Sequence, residues 1–290
     1  MTWRTVIITR RSKLDYKMGY LVIRAEEVHK VFLDEIAVLV IENPAVSLTG
    51  CLLEALVEHK IKVMFCDSKR NPMAELMPHH GSYDCVTRIK EQIVWKEETK
   101  AAVWQRIIRE KISKQQELLQ ELGKNRESDL LLSYIPQVQP GDTTNREGHA
   151  AKVYFNALFG MDFTRGQESP TNAALNYGYS VILSAVNRDI TNAGYLTQLG
   201  VFHDNRFNCF NLSCDLMEPF RVLVDRAVLG LANDTFTAEN KRNLWNILNE
   251  NVVIDGTNQT VLNAMHIYLR SVLNALNADD PQGIRFYRLK

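Results

Sequence analysis

Long apolar runs are missing from this sequence. No stretch approaches the roughly 18 consecutive apolar residues that a membrane-spanning helix needs. The opening residues, MTWRTVIITRR, also lack the apolar core of a secretory signal. We therefore expect a cytoplasmic protein that does not associate with a membrane.

Paired cysteines and an excess of one charge are missing as well. The five cysteines form no CxxC pair, so neither a disulfide framework nor a zinc site is indicated. The 34 basic and 34 acidic residues balance, which excludes an indiscriminate polycation but not local basic patches that bind nucleic acid. With 46% hydrophobic residues and few glycines and prolines, the chain is typical of a globular protein.

Several common enzyme signatures are also absent. The sequence contains no Walker loop, no GxGxxG after a strand, no GxSxG and no HExxH. P-loop enzymes, dinucleotide-binding folds, serine hydrolases and zinc peptidases are thereby disfavoured. The adjacent His79 and His80 would point to opposite sides of an extended segment, and we interpret them as part of a linker.

The two halves of the chain differ in periodicity. Residues 1–80 contain short β-rich segments bounded by turn residues, such as Thr5–Thr9, Tyr20–Ile23 and Ile36–Ile41, with one amphipathic helix over Leu48–His59. The stretch from Asn71 to Gly81 resembles a linker. We predict a small N-terminal β domain at 1–80, a linker at 81–84 and an all-helical domain at 85–290, which together make an α+β fold.

The helical half shows apolar residues at spacings of three, four and seven up to a stop at Gly123. Residues 126–144 are less regular and are predicted to be loop. Further helices are predicted at about 145–159, 171–193, 214–232, 237–249 and 257–277. The N-caps predicted for the later helices are Thr171, Thr237 and Thr257.

Glu147 has two interpretations. The pattern Thr144-x-x-Glu147 matches a capping box, in which Glu147 binds an amide at the helix start. A carboxylate on a buried stripe is instead costly unless a charge or a metal compensates it. The stripe of Glu147 holds Ala150, Ala151, Tyr154 and Leu158. The local pattern alone favours the cap.

His203 and Glu218 are ambiguous on local evidence. His203 lies in a polar loop, where a histidine is usually solvated or hydrogen-bonded. Asp215 and Glu218 share a helical face, on which two carboxylates repel each other unless a cation lies between them. A structural ladder that pairs Glu218 with Arg221, and Arg221 with Asp225, is an equally good interpretation.

Two carboxylates and one imidazole would make a site of hard oxygen ligands with one borderline nitrogen. Mg²⁺ and Mn²⁺ suit such a set, and Mn²⁺ accepts the histidine more readily. These ions activate a hydroxyl nucleophile and neutralise charge on a transferring phosphoryl group. Glu147, His203 and Glu218 are therefore candidates for phosphodiester chemistry.

Four ordered segments resemble the CRISPR-associated adaptation integrase family, whose members insert new spacers. They are Asn145–Phe155, Asn172–Tyr179, Leu199–His203 and Asp215–Arg221. Four motifs in order are far more specific than any one of them. The β region followed by a helical region also agrees with the family, so the resemblance covers nearly the whole chain.

This resemblance implies that Glu147, His203 and Glu218 are the catalytic ligands of Mg²⁺ or Mn²⁺, with Asp215 as an accompanying acid behind them. Many members have Asp at the third position, and Glu218 resembles the versions found beside single-protein effector nucleases. The implied reaction is attack by the 3′-hydroxyl of a short DNA fragment on a phosphodiester at the repeat edge of a CRISPR array.

The resemblance also implies an assembly on double-stranded DNA, both the fragment and the repeat. Homodimers, expected to form through the N-terminal β domain, would flank a dimer of a small ferredoxin-like companion. Two dimers of this chain per companion dimer are implied.

The residues expected to contact DNA combine charge, amide groups and an aromatic ring. They are Arg146, Lys152, Arg165, Asn172, Asn176, Tyr177, Arg206 and Arg221. Tyr177 and Tyr179 are candidates for stacking on bases, although one of them is expected in the core. A basic cluster between Lys100 and Gln116 and the tail Ile284–Lys290 are further candidate contacts, for DNA or a partner.

Two other functions fit the same residues. A metal-dependent nuclease that cuts branched DNA without joining would use the same three ligands, with water in place of the 3′-hydroxyl. A DNA-binding scaffold without catalysis is disfavoured by the intact set of candidate ligands. The sequence indicates neither the metal used in the cell nor the repeat recognised.

Overall fold

The computed structural model describes residues 4–78, 82–231 and 235–289. The strands of the N-terminal region are β1 (Arg4–Ile8), β2 (Ser12–Lys17), β3 (Tyr20–Arg24), β4 (Val28–Phe32), β5 (Ile36–Ile41), β6 (Val46–Leu48), β7 (Lys62–Cys66) and β8 (Pro72–Leu76). They form two sheets, with strand orders β1-β5-β7-β8 and β4-β3-β2-β6.

The first sheet connects the two regions of the chain. Its central strand β5 pairs in parallel with β1 and β7, and all six of its residues are buried. Leu39 and Ile41 belong to the core of the N-terminal region, together with residues of helix α1 (Gly50–Glu58). Val38 and Val40 belong to the core of the helical region. β5 is therefore apolar throughout because both of its faces are covered.

The helices of the second region are α2 (Cys85–Ile93), α3 (Glu97–Glu121), α4 (Asn125–Tyr134), α5 (Arg146–Phe159), α6 (Pro170–Asn192), α7 (Asn211–Leu216), α8 (Arg221–Leu229), α9 (Ala238–Trp245) and α10 (Val261–Ala278). A 3₁₀ turn, Glu218–Phe220, links α7 to α8. A hairpin of β9 (Asn251–Ile254) and β10 (Thr257–Thr260) precedes α10.

Helix α6 is central to the packing of this region. It contacts α7, α8, α9 and α10 and is buried around most of its circumference. At Gly178 an added Cβ would lie 2.3 Å from Cγ1 of Val224, on α8. A larger residue would therefore displace the Val224 side chain or α8 itself, the helix that carries Arg221 and Asp225 of the site described below.

The predicted α+β class is confirmed, since a β region is followed by a largely helical one. The hairpin β9–β10 is an addition to the predicted all-helical region. The limits 1–80, 81–84 and 85–290 stay predictions. Within the described residues, none of the helices combines the length and apolarity needed to cross a membrane.

Several local predictions were wrong. Strand β8 occupies part of the predicted linker, because a proline is tolerated at the first residue of an edge strand. Residues 125–134 form α4 rather than loop. His79 and His80 lie outside the described residues.

The predicted N-caps had mixed outcomes. Thr237 caps α9 in a capping box, as predicted. Ser169, followed by Pro170, caps α6 in place of Thr171. Thr260 caps α10, because Thr257 is part of β10.

Candidate active site

The start of α5 positions Glu147. Asp142 accepts hydrogen bonds from the amides of Arg146 and Glu147, both at 2.9 Å. Asn145, whose backbone is left-handed (φ 49°), accepts a third from an amide of the first turn. Asp142 and Asn145 thus accept the hydrogen bonds of the amides in the first turn of α5, which have no partner within the helix. The predicted capping box between Thr144 and Glu147 is therefore wrong. The Glu147 carboxylate is available for other contacts.

An ammonium group lies between the two predicted acidic ligands. Nζ of Lys111, on α3, is 2.5 Å from Oε1 of Glu147 and 2.6 Å from Oε2 of Glu218. Burial disfavours the charged ammonium, but Glu218 and Glu147 outweigh it and raise the pKa of Lys111. The positive charge that joins Glu147 and Glu218 in this structure is the ammonium of Lys111.

Glu218 begins the 3₁₀ turn between α7 and α8 and is only 3% exposed. Its Oε1 accepts a hydrogen bond from Nε of Arg221 at 2.9 Å. Its Oε2 is buried and lies 2.6 Å from the ammonium nitrogen of Lys111, with which it forms an ion pair. Burial opposes the charge, but Arg221 and Lys111 outweigh it and lower the pKa of Glu218.

Asp215 orients His203. The Asp215 carboxylate is fully buried and accepts a hydrogen bond from Nδ1 of His203 at 2.5 Å. It also accepts hydrogen bonds from the amides of Val201 and Phe202, at 2.7 and 2.9 Å. The histidine loop is therefore wrapped around one carboxylate, and Nε2 is the ring nitrogen that Asp215 leaves available.

The electrostatic surroundings of His203 connect it to the two glutamates. The hydrogen bond from its ring to Asp215 raises the pKa of His203, while partial burial opposes this effect. Glu218 and Glu147 raise the same pKa further through their charges. Glu147, His203 and Glu218, predicted from distant motifs, thus belong to one electrostatic site.

Close packing fixes the histidine loop. A Cβ added at Gly200 would lie 2.2 Å from the carbonyl oxygen of His203, so the loop requires glycine here. The ring of Phe202 stacks on Trp104 of α3 with centroids 4.5 Å apart, and the His203 ring meets Trp104 edge-on at 5.8 Å. The loop is therefore positioned against the helix that carries Lys111.

Asp225, on α8, forms a separate buried cluster behind the site. It accepts hydrogen bonds from the hydroxyls of Tyr154, at 2.9 Å, and Tyr179. Burial raises the pKa of Asp225 to about 6, although both tyrosine hydrogen bonds oppose the shift. The predicted ladder is thus half correct, because Arg221 pairs with Glu218 while Asp225 pairs with tyrosines.

The donor chemistry fits Mg²⁺ or Mn²⁺. Two carboxylates and an imidazole meet here, and one buried oxygen, Oε2 of Glu218, accepts no hydrogen bond. Across residues 4–78, 82–231 and 235–289, no three His, Cys, Asp or Glu side chains are arranged as a finished metal site. Lys111 lies between the glutamates instead, and metal binding stays a prediction.

The predicted DNA contacts divide into exposed and buried residues. Lys152, Asn176 and Arg206 are exposed. Arg146 and Arg165 are partly exposed; Arg165 donates a hydrogen bond to Oδ1 of Asn176 at 2.6 Å. These positions are compatible with the prediction, which remains one.

Buried members of the predicted set have internal partners. Asn172 is 3% exposed, and its amide donates hydrogen bonds to the carbonyls of Thr164 and Gln167, which holds the loop before α6. Tyr177 and Tyr179 are 5% and 8% exposed, so neither has a ring face on which a base could stack. Direct DNA contact by these three disagrees with their burial. Arg221 is engaged by Glu218.

Two further candidate contacts also bind within the chain. The basic residues of α3 do not share a free face, because Lys114 is buried between Glu110 and Glu117 and Arg109 donates to the carbonyl of Val138. The tail packs inward, with Tyr287 buried and its hydroxyl 2.8 Å from the carbonyl oxygen of Pro219. Ile284 and Tyr287 therefore cannot contact DNA or a partner, whereas Arg285 and Arg288 are exposed, so docking of the tail stays a prediction. Lys290 lies outside the described residues.

Sequence reasoning missed two residues near the site. Lys111 belongs to the basic cluster between Lys100 and Gln116, and no feature of the local sequence distinguishes it from the other basic residues there. Phe207, four residues after His203, is 80% exposed, with the Arg206 guanidinium 4.6 Å from its ring centroid. An aromatic residue beside an arginine, in the loop of His203, is the sequence feature that could have drawn attention to it.

Known proteins resemble the chain in sequence. The family model described as "CRISPR associated protein Cas1" matches residues 5–251. A CRISPR-associated endonuclease Cas1 from Neisseria meningitidis is 40% identical over 80% of this chain and 76% of its own. Another, from Francisella tularensis subsp. novicida, is 29% identical over 75% of each chain.

Solved structures resemble it in fold. A casposase bound to integration product has a TM-score of 0.76 at 19% identity, covering 96% of this chain and 91% of its own. A Cas1 protein from Thermotoga maritima has a TM-score of 0.75 at 16% identity, covering 94% and 97%. A Cas6-RT-Cas1–Cas2 complex contains a longer chain, of which 36% is covered, at a TM-score of 0.73. The match over most of its length to both the family and a 40% identical relative shows that this chain belongs to the CRISPR-associated Cas1 family.

Proposed function

We propose that this chain is a metal-dependent DNA endonuclease and integrase of CRISPR adaptation. It joins the 3′-hydroxyl ends of short DNA fragments to the repeat edges of a CRISPR array. The observation that carries the proposal is the meeting of Glu147 and Glu218 at one cation, beside a His203 whose ring is oriented by Asp215. This meeting occurs in a chain of the Cas1 family.

The names of similar proteins support the chemistry. The curated relatives are called endonucleases. The similar casposase was solved with its integration product, which is the result of a joining reaction in that protein. Both facts agree with a site that breaks and forms phosphodiester bonds.

Glu147, Glu218 and the Nε2 of His203 are the groups that would hold the metal. Mg²⁺ or Mn²⁺ supplies neutralisation of phosphate charge and activation of the attacking hydroxyl. Asp215 keeps Nδ1 of His203 protonated and its ring oriented. The Arg221 guanidinium holds the Glu218 carboxylate in place from the other side.

The remaining predicted contacts would position DNA around these groups. Lys152 and Arg206 are exposed and suited to phosphates, each contact adding to the salt dependence of binding. We infer a homodimer that binds a small ferredoxin-like companion, with two dimers of this chain per companion dimer. Similar chains in complexes named Cas1–Cas2 support the companion.

The test is a strand-transfer assay. A labelled double-stranded fragment, a plasmid that carries a repeat, the companion subunit and Mn²⁺ are combined with this protein. We expect joined product from the wild type and none from Glu147→Gln. Glu127→Gln is the matched control, because Glu127 occupies the first turn of α4 as Glu147 does that of α5. Joining by Glu147→Gln would refute the site.

The same assay decides between joining and cutting. The name endonuclease, shared by the relatives, favours hydrolysis as a second candidate function on branched DNA. In that case labelled DNA would be cut in the presence of Mn²⁺ with no joined product, even with the companion present. Loss of cutting in Glu147→Gln would then still support the site while the integrase reaction was rejected.

A further inference from the structure

Lys111 contacts the two acidic groups that the proposed function assigns to the metal. Its Nζ lies within ion-pairing distance of Glu147 and Glu218, which come from α5 and from the turn before α8. The side chain is 12% exposed, so water screens these contacts little. It reaches them from a third helix, α3.

The two glutamates are already neutralised by cationic side chains. Lys111 and Arg221 contribute two positive charges against the two negative charges of Glu147 and Glu218, while Asp215 is engaged by His203 and the loop amides. A divalent cation bound to the same oxygen atoms would lie beside both cations in a largely buried site, where like charges repel strongly. Metal binding is therefore favoured when a positive group leaves the glutamates.

Lys111 is better suited to leave than Arg221. Its ammonium is a point charge on a flexible four-carbon stem, so a rotation of that stem releases both the hydrogen bond to Oε1 of Glu147 and the ion pair with Oε2 of Glu218. Arg221 donates a hydrogen bond to Oε1, and its guanidinium also lies 4.7 Å from the ring centroid of Tyr179.

We propose that Lys111 is a built-in counter-cation, which holds Glu147 and Glu218 together before the metal binds and is displaced by it. The proposal rests on the proposed function, because it takes the two glutamates as metal ligands. Lys111 is thus a positioning residue that preorganises the acidic pair in the metal-free protein and sets its affinity for divalent cations. It competes for the same oxygen atoms.

Lys114 provides a matched control on the same helix. It is also a buried lysine between two carboxylates, but Glu110 and Glu117 lie four and three residues away on α3 itself. Such pairs within a helix stabilise it locally. Lys114→Met therefore removes a buried ammonium of the same kind without changing the site.

The experiment measures Mn²⁺ binding by calorimetry, and thermal unfolding in EDTA and in Mn²⁺, for the intact chain. Lys111→Met is expected to bind Mn²⁺ at least about tenfold more tightly than the wild type. This gain is at the low end of the effect expected when one positive charge about 4 Å from the metal is removed. In EDTA the variant should unfold at a lower temperature than the wild type. Addition of Mn²⁺ should raise its unfolding temperature by more than it raises that of the wild type. Lys111→Arg, whose guanidinium is harder to displace, should bind Mn²⁺ more weakly than the wild type. Lys114→Met should keep the wild-type affinity.

Equal or weaker Mn²⁺ binding by folded Lys111→Met would overturn the inference while leaving the metal site intact. Absence of binding in both the wild type and the variant would overturn the metal assignment of the proposed function as well. Binding by the variant alone would support the inference. Should Lys111→Met not fold in EDTA, Lys111→Gln, whose amide can still donate to one carboxylate, carries the same test.

Discussion

Asp215 and Glu218 lie three residues apart, and both are buried, yet their partners differ in kind. Asp215 accepts hydrogen bonds from backbone amides and an imidazole of one loop. Glu218 is held by the cationic ends of two long side chains, those of Lys111 and Arg221. One carboxylate is saturated by fixed donors, and the other by cations that can be replaced.

Under the proposed function, this difference separates Asp215, which positions His203, from Glu218, which would bind the metal. Backbone amides cannot leave Asp215 without unfolding the loop, so its oxygens are committed to His203 and the loop. The Lys111 ammonium can leave Glu218, which makes that carboxylate available to a metal. The local sequence pattern left the two acids equivalent, because they share a helical face, and only the family resemblance assigned them different roles.

The largest effect is expected from Glu218→Gln. A neutral amide is a weaker ligand of Mg²⁺ or Mn²⁺ than a carboxylate, and it leaves Lys111 and Arg221 with too little negative charge. Strand transfer should fall by more than the roughly 100-fold that loss of a merely orienting residue costs. The measurement is the rate of joined product at saturating Mn²⁺.

Glu117→Gln is the control for this prediction, since Glu117 pairs with the buried Lys114 away from the site. Its rate should match that of the wild type. A rate for Glu218→Gln within tenfold of wild type would show that Glu218 is not a ligand and would remove the contrast with Asp215.

Asp215→Asn should have a smaller effect of a different kind. The hydrogen bond to Asp215 is the largest cause of the raised pKa of His203, so this pKa should fall toward its usual range. Loss of the ring's orientation should reduce strand transfer by about 10- to 100-fold. NMR titration of the His203 ring, alongside the rate, checks both expectations.

Asp189→Asn is the matched control, because buried Asp189 lies 3.4 Å from Nδ1 of His266 outside the site. It should leave the pKa of His203 and the rate unchanged. An unaltered pKa of His203 in Asp215→Asn would contradict the positioning role.

Gly200→Ala should disturb the same loop less selectively. The added Cβ would collide with the carbonyl oxygen of His203 at 2.2 Å and approach Oδ2 of Asp215 at 2.9 Å, so the backbone must shift. We expect destabilisation of about 1–3 kcal/mol and a loss of strand transfer of about tenfold as the imidazole moves. Urea unfolding and the transfer rate measure these effects.

Gly166→Ala is the control for this change, because a Cβ there meets no atom within 4 Å. It should leave both quantities unchanged. Wild-type stability and rate in Gly200→Ala would show that the loop around Asp215 is not rigid.

The three candidate ligands could be found from the sequence because the family motifs keep their order and spacing. The contacts between them could not, since Glu147 meets Lys111 from 36 residues away. Helix packing, and not local pattern, decides which of several similar lysines on α3 lies between the acids.

Burial on α6 illustrates the same limit. Tyr177 and Tyr179 suggested base stacking, but α6 is covered on nearly all sides by other helices. An element buried all round has no polar stripe that would reveal which aromatic residues are inaccessible. Helix α4 was missed for a related reason: Leu130, Leu131 and Leu132 are consecutive, and only Leu131 is buried, so no apolar stripe is visible.

Asp225 extends the comparison to a third buried carboxylate, and its substitution should have the smallest effect on strand transfer, because its partners are the tyrosines behind the site. Neutral hydroxyls are its partners, so burial prevails and raises its pKa from 3.8 to about 6, whereas cations lower the pKa of Glu218. Between these pH values the folded protein holds a proton that the unfolded chain releases. The contribution of Asp225 to the free energy of unfolding therefore falls as the pH rises, by at most roughly 3 kcal/mol.

Asp225→Asn cannot titrate and should lack this contribution. Urea unfolding of both proteins is measured from pH 4 to pH 7. The other carboxyl groups contribute equally to both free energies of unfolding, so the difference between the two proteins reports Asp225 alone. The wild type should lose stability relative to the variant through this range, with most of the change complete near the raised pKa. A difference independent of pH would mean that folding does not shift the pKa of Asp225, so that the two tyrosine hydroxyls offset the cost of burying its charge.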